Sequence, residues 1–249
     1  MIRRNLSLEL RWLAWIAGLL EGEGSFSRAT PAMPRRPRCS VSMTDRDIIE
    51  RVCELWGTRL YTHIPKVKRY KPVFRTELVG GSAVAMMALL RPHMGVRRQV
   101  QIDEATATYM PLRSIKHKTF QLLSDGAEEF ERYWLAGLLE GEGCFTTNSK
   151  NILLELNSVD HDVMLRVQRN YAVCYGARVN VNTRPPRQLG YQPQYHLACF
   201  GPAARAVMAD IEPIMGERRR SRIAELLGPA VQTTLLREAR AGYTLRWAA

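Results

Sequence analysis

The string WIAGLLEGEGSF at residues 15–26 ends an apolar run in two carboxylates one glycine apart, and WLAGLLEGEGCF repeats it at residues 134–145. Glu21 and Glu23, with Glu140 and Glu142 in the copy, are predicted to lie at helix C-termini. There the helix dipole is negative, and each acid costs about 0.3–1 kcal/mol. Such a cluster is tolerated when a cation neutralises it, and oxygen donors suit Mg²⁺ or Ca²⁺. Adjacent acid-held metals are the apparatus for in-line phosphodiester hydrolysis. A glycine-terminated core helix accounts for Gly24 and Gly143, but not for two acids repeated in both copies.

The elements that position these acids are themselves repeated. The two strings are identical at 10 of 12 positions, with Trp15 aligned to Trp134. MTDRDIIERV (43–52) corresponds to SVDHDVMLRV (158–167), YKPVFR (70–75) to YQPQYH (191–196), and GGSAVAMMALLRPHMGVRR (80–98) to GPAARAVMADIEPIMGERR (201–219). Two copies are too few for a solenoid, so a pseudo-twofold pair of half-domains is expected, residues 1–110 and 130–249, joined by a linker at 111–129.

Each half reads as α-β-β-α-β-β-α, an α+β class. The motif helix is followed by a hairpin, 25–28 with 38–44 or 144–147 with 152–158. A helix that Asp45 or Asp160 caps comes next, with Ile48, Ile49, Val52 and Leu55 at helical spacing. A second hairpin spans 58–79 or 177–200, and a last helix begins near Ser82 or Pro202. Ser124-Asp125-Gly126 is expected to cap the second motif helix. Ala14, Gly18 and Gly22 recur four apart on one face, as do Gly137 and Gly141. Glycine inside a helix costs about 1 kcal/mol against alanine; close approach of the two motif helices offsets that cost and brings both EGEG ends together.

Bulk composition fits this reading. The chain has 249 residues, 46% hydrophobic and 24% charged, with a net charge of +12. That charge favours a polyanionic partner, nucleic acid before membrane. Five cysteines without a CxxC pair argue against a zinc knuckle or a disulfide framework. His63, His93, His117, His161 and His196 have no ligand spacing. The apolar run after MIRRN leads into EGEG without a small-residue cleavage site, so it is read as a core helix and no export signal is assigned. No stretch approaches the ~18–20 apolar residues of a membrane span. Met86, Met87, Met208 and Met215 are assigned to the core, and the arginine pairs 97/98 and 218/219 to structural ion pairs in preference to DNA contacts.

Two copies of [IL]AGLLEGEG followed by Ser/Cys-Phe, with these hairpins, resemble the LAGLIDADG homing endonucleases of the single-chain, two-motif kind. The resemblance covers nearly the whole chain apart from the tail after about residue 228. It implies that antiparallel sheets form a DNA-binding saddle and that one phosphodiester per strand is hydrolysed across the minor groove, giving a staggered cut. It implies Glu23 and Glu142 as the catalytic metal ligands, helped by the Gly22 and Gly141 carbonyls, with Mg²⁺ bound (Ca²⁺ or Mn²⁺ substituting), and Glu21 and Glu140 as structural. Glu replaces the Asp of the motif name, a substitution the family also uses. The family's common Gln falls on Met43 and Ser158, a departure, and the basic helper is open among Lys66, Lys68, Arg75 and their partners. DNA contacts are expected from Arg28, Arg35, Arg36, Arg38, Lys66, Lys68, Arg69, Lys71, Arg75, Lys150, Arg178, Arg184, Arg187, Gln192 and Gln194. The implied protein is a monomer acting on an asymmetric duplex target, in the cytoplasm or at the nucleoid of a bacterial or phage host, in intron homing. An RNA-splicing maturase or a non-cleaving DNA binder of the same fold is the alternative.

Overall fold

The structure, a computed structural model, describes residues 6–30, 33–67, 69–109, 126–149, 151–186 and 190–228, with backbone alone at 29–30 and 33–35. Most of the expected linker, the tail 229–249, His117, Ser124, Asp125, Lys68, Lys150 and Arg187 lie outside the described residues.

The first half runs α1 (Leu8–Glu23), β1 (Gly24–Thr30), β2 (Met33–Met43), α2 (Arg46–Trp56), β3 (Tyr61–His63), β4 (Val73–Val79), α3 (Gly81–Leu90) and α4 (Val96–Thr106). The second runs α5 (Ala127–Glu142), β5 (Cys144–Asn148), β6 (Asn151–Ser158), α6 (His161–Tyr175), β7 (Val181–Arg184), β8 (Gln194–Phe200), α7 (Gly201–Ile211) and α8 (Glu217–Leu227). Each half builds one four-stranded antiparallel sheet, ordered β1-β2-β4-β3 and β5-β6-β8-β7. The class is α+β, as the sequence implies, with one more helix per half than expected. A 3₁₀ turn at Arg91–His93 or Glu212–Ile214 splits the expected last helix in two. Pro92 and Pro213 sit inside these turns, where proline's missing N–H and fixed φ suit a new start better than a continuing helix.

Helices α1 and α5 pack backbone to backbone. A Cβ on Gly18 would lie 1.9 Å from the Trp134 carbonyl oxygen, and one on Gly137 2.0 Å from that of Trp15. The flanking Trp15, Leu19, Leu20, Trp134, Leu135 and Leu139 are fully buried. Met87, Met208 and Met215 are core residues, with Met86 packed against them. Each motif helix passes directly into a strand: Gly24 (φ −72°, ψ 150°) and Gly143 (φ −70°, ψ 137°) are extended. Glycine is needed there because a Cβ would fall 2.4 Å from the Leu20 carbonyl oxygen or 2.6 Å from that of Leu139. A left-handed stop is not used at either end.

Further contacts lock one half into the other. Arg51 on α2 donates to the Ile214 carbonyl (2.7 Å) and lies over the Trp15 ring. Arg166 on α6 donates to the His93 carbonyl (2.6 Å) and stacks 3.7 Å from the Trp134 ring centroid. His93 itself packs on Phe130. Burial, and then the Arg166 guanidinium, lower its pKa from 6.5 to about 4.

Two outcomes are expected from this packing. Gly18→Ala or Gly137→Ala forces the helices apart and costs about 3 kcal/mol or more in urea unfolding, or prevents folding. Gly57→Ala, at a positive φ of 64° with nothing within 4 Å, costs only about 1 kcal/mol. Because the folded state holds His93 neutral, stability is full above pH ~6.5 and falls as pH drops toward ~4; this part of the pH dependence disappears in His93→Gln.

Candidate active site at the paired helix ends

Close packing of α1 and α5 sets Glu23 and Glu142 across one another's helix. A Cβ on Gly22 would come 2.9 Å from Glu142 Cγ, and one on Gly141 2.7 Å from Glu23 Cγ. Glu23 is half-buried and Glu142 exposed. Burial, then the negative charge of Glu142, raise the Glu23 pKa above its usual 4.5. Among the described residues neither carboxylate has a hydrogen bond or an ion pair, although Arg98 and Arg219 act on Glu23 through space.

The other acids at this junction have partners, although the Oε1 atoms of Glu21 and Glu140 are buried without one. Glu21 and Glu140 are buried, and each accepts from the backbone N–H that starts a following helix: Gly95 N–H to Glu21 Oε2 (2.6 Å) and Gly216 N–H to Glu140 Oε2 (2.7 Å). Burial nevertheless raises both pKa values from 4.5 to about 7, against those amides and the nearby arginines. Asp162 and Asp47 reach from the opposite half to the next amides, of Val96 and Glu217, at 2.7 Å each. The helix starts are glycine because a Cβ on Gly95 would meet Val163 at 2.6 Å, and one on Gly216 would meet Ile48 at 2.5 Å.

The arginine pairs divide their work. Arg97 binds Asp160 and Arg218 binds Asp45, through Nε and Nη2, each between halves. Arg98 donates to the Glu21 carbonyl (2.9 Å) and the Gly22 carbonyl (2.7 Å). Arg219 does the same to Glu140 (3.2 Å) and Gly141 (3.1 Å). Asp45 and Asp160 therefore occupy N-cap positions without capping, a correction to their expected role; their carboxylates are turned to the arginines. Gly126 likewise starts α5 with no side-chain cap bond.

Part of the dipole problem is thus solved by arginine. The terminal carbonyls of α1 and α5 each meet a guanidinium, while among the described residues the Glu23 and Glu142 carboxylates have no hydrogen bond or ion pair. The expected carbonyl ligands, Gly22 and Gly141, each have one lone pair committed to Arg98 or Arg219, which leaves the second for another partner. Among the described residues no group of three or more His, Cys, Asp and Glu side chains stands together as a metal cage. The donor set that fits a hard divalent cation is the carboxylate pair, completed by carbonyl and non-protein oxygens. Beside it a cavity of about 30 Å³, room for one water, is lined by Glu21, Gly22, Arg97, Glu142, Ser158 and Asp160 among others. Met43 is buried in the core, whereas Ser158 lines that cavity with its Oγ accepting from the Asp160 N–H.

The expected basic contacts fall into three places. Arg38 and Arg75 lie on the outer face of the first sheet, opposite the core, and both are drawn to Glu77. Arg36 shares their parity and is exposed. Arg28 is exposed but follows Phe26 at i+2, which puts it on the helix-side parity, away from Arg38. Lys66, Arg69 and Lys71 are exposed between β3 and β4, with Arg69 over the ring of Tyr70. Lys66 and Arg75, named as basic helpers, are thus on hairpin surfaces, whereas Arg98 and Arg219 stand at the helix ends. In the second half, Arg184 and Gln194 pair across β7 and β8 on the outer face; Arg178 and Gln192 are exposed in adjoining loops. Arg35 is in β2, its side chain outside the described residues.

No model of a known protein family matches the chain, and no curated protein matches it. Solved structures do. The chain is similar to I-DmoI in complex with DNA and Mn, over 76% of this chain and 89% of that one, at 12% identity and TM-score 0.46. It is similar to the LAGLIDADG meganuclease I-AabMI bound to uncleaved DNA, over 92% and 95%, at 13% identity and TM-score 0.49. It is also similar to full-length DUF199/WhiA from Thermatoga maritima, over 95% and 68%, at 11% identity and TM-score 0.46. These are likenesses of backbone course.

No helix among the described residues is long and apolar enough to cross a membrane. Arg97 and Asp160 form an inter-half ion pair whose carboxylate is only 9% exposed. A double-mutant cycle with Arg97→Ala and Asp160→Ala is expected to show coupling of about 1–3 kcal/mol in equilibrium unfolding. Arg97→Ala alone is the costlier change, because it leaves a buried carboxylate unpaired.

Proposed function

We propose that the chain is a LAGLIDADG-type homing endonuclease that cuts both strands of an asymmetric DNA duplex in a metal-dependent reaction. One observation carries the reading: two carboxylates from repeated motifs converge at packed helix ends with no hydrogen bond or ion pair among the described residues, while each acid around them has at least one partner. Two carboxylates held side by side at negative helix ends repel one another, which suits the site when a cation neutralises them. Mg²⁺, or Ca²⁺ or Mn²⁺ in its place, would supply water activation and charge neutralisation at a phosphodiester when held there.

The chain's own residues do the rest. Glu23 and Glu142 would hold the metal, with Gly22 and Gly141 each offering a free carbonyl lone pair. Arg98 and Arg219 fix the helix ends that carry these acids. Exposed Arg36, Arg178 and Arg184 and the Lys66–Lys71 connection supply phosphate contacts, and the outer sheet faces supply base readers. One chain carries both centres, so a monomer suffices, working where DNA is, in cytoplasm or nucleoid. The alternative, a maturase or non-cleaving binder of the same fold, draws on the lack of a three-acid cage among the described residues and on the arginines at Gly22 and Gly141.

Incubation with Mg²⁺ and a randomised duplex library, followed by sequencing of broken ends, decides between them. Wild type is expected to give staggered breaks at one site, abolished by a chelator. Glu23→Gln or Glu142→Gln should slow cutting of one strand by about 100-fold or more, leaving nicks. Undiminished cutting by the double variant overturns the assignment; tight binding without any cut favours the binder.

A further inference from the structure

The outer faces of the two sheets differ at one matched row. In the first half the row reads Ser27–Arg38–Val79 across β1, β2 and β4. Its repeat equivalent is Thr146–Leu153–Phe200 across β5, β6 and β8. Ile152, Leu154 and Leu156 belong to the core, and Leu153 between them belongs to the opposite face. It is only 6% exposed although it is not part of the core cluster, and its cross-strand partner Phe200 is 50% exposed. Beside Ala198 and Cys144, the other outer positions include the polar Glu155, Asn157, Asn182, Arg184, Gln194 and His196. A lone exposed aromatic in that setting, with no ring partner among the described residues, calls for an occupant.

We propose that Phe200, backed by Leu153 and Thr146, reads the C5-methyl group of a thymine in the major groove. The inference rests on the outer sheet faces being the DNA-facing ones. Duplex DNA is the occupant because the same outer face carries Arg184 and Gln194 at the other end of β8, on a chain of net charge +12. The thymine methyl is the apolar group that base edges present in the major groove, whereas arginine at the matched row suits guanine O6 and N7. The two half-sites are therefore read with different chemistry at matched rows, where Leu153 stands in place of Arg38 and Phe200 in place of Val79.

The test uses the full chain and its selected target duplex. Each thymine of the half-site bound by the second half is replaced singly by deoxyuridine, which removes the methyl and keeps the pairing. Affinity is read by fluorescence anisotropy at fixed salt. One replacement is expected to weaken wild-type binding about fourfold, the worth of one buried methyl group. Phe200→Ala should lose a similar factor on the thymine duplex and be indifferent to that replacement, while Phe200→Leu keeps the response. The proposal is overturned if wild type ignores every replacement, if Phe200→Ala still responds, or if that half-site contains no thymine. Self-association lost in Phe200→Ala, with binding insensitive to deoxyuridine, overturns it in favour of a protein contact. Cutting or binding of the target without any methyl response removes this inference alone; absence of any DNA binding removes the nuclease reading with it.

Discussion

The meeting of Gly18 with the Trp134 carbonyl, and of Gly137 with the Trp15 carbonyl, is the constraint on which the other features depend. With no side chain between them, the helices cannot slide or rotate without a backbone clash. Their ends are therefore brought side by side, and Glu23 and Glu142 lie across one another's terminal glycines. The same approach buries Trp15 and Trp134, on whose rings Arg51 and Arg166 lie as they reach to the opposite half. Two rigid helices, each continued at once by a strand, hold a site more firmly than loops could.

That geometry concentrates negative charge, and the surrounding residues answer it unequally. Glu21 and Glu140 receive backbone amides at helix starts, where the dipole is positive. Asp45 and Asp160 receive guanidinium groups from the opposite half. The last carbonyls of both motif helices receive Arg98 and Arg219. Among the described residues Glu21 and Glu140 each have one oxygen matched and one buried oxygen without a partner, whereas the Glu23 and Glu142 carboxylates have no hydrogen bond or ion pair at all. Arginine at the helix ends also reduces the repulsion that would otherwise oppose placing two more acids there. The unmatched pair is in that sense built by the matched ones.

The motif helices, the four hairpin pairings and the core methionines were legible because each depends on short-range periodicity or on the repeat itself. The facing glycines were legible too, since a fourfold spacing of small residues has few other uses in a helix. What escaped depends on distance along the chain. Arg97 meets Asp160 across 63 positions and Arg218 meets Asp45 across 173, and no local pattern announces either. Asp45 and Asp160 stand where caps stand, so position suggested a role that a long-range partner takes away. Pro92 and Pro213 were visible, but the apolar pattern continued past them, and the break into α4 and α8 was missed. Repetition could have flagged Arg51 and Arg166, which align in the two copies, although alignment alone would not have named the rings beneath them.

The two halves share their machinery and diverge on their outer faces, and the physical reason is how each set of contacts is coupled. A change at Gly95 or Asp162 disturbs two elements from different halves at once, because the helix start is seated on the opposite half. An outer-face residue such as Phe200 has solvent on one side and only its own sheet on the other, so it can change without moving the core. Divergence is therefore cheap where a ligand would be read and costly where the helices meet. Arg38 and Phe200 at matched rows are the consequence, and on the proposed reading a duplex laid across both sheets would meet a hydrogen-bond donor at one end and an aromatic face at the other. If the proposed reading holds, a symmetric framework with unlike ends would bind an asymmetric sequence in one orientation only, which would in turn fix which strand faces Glu23 and which faces Glu142.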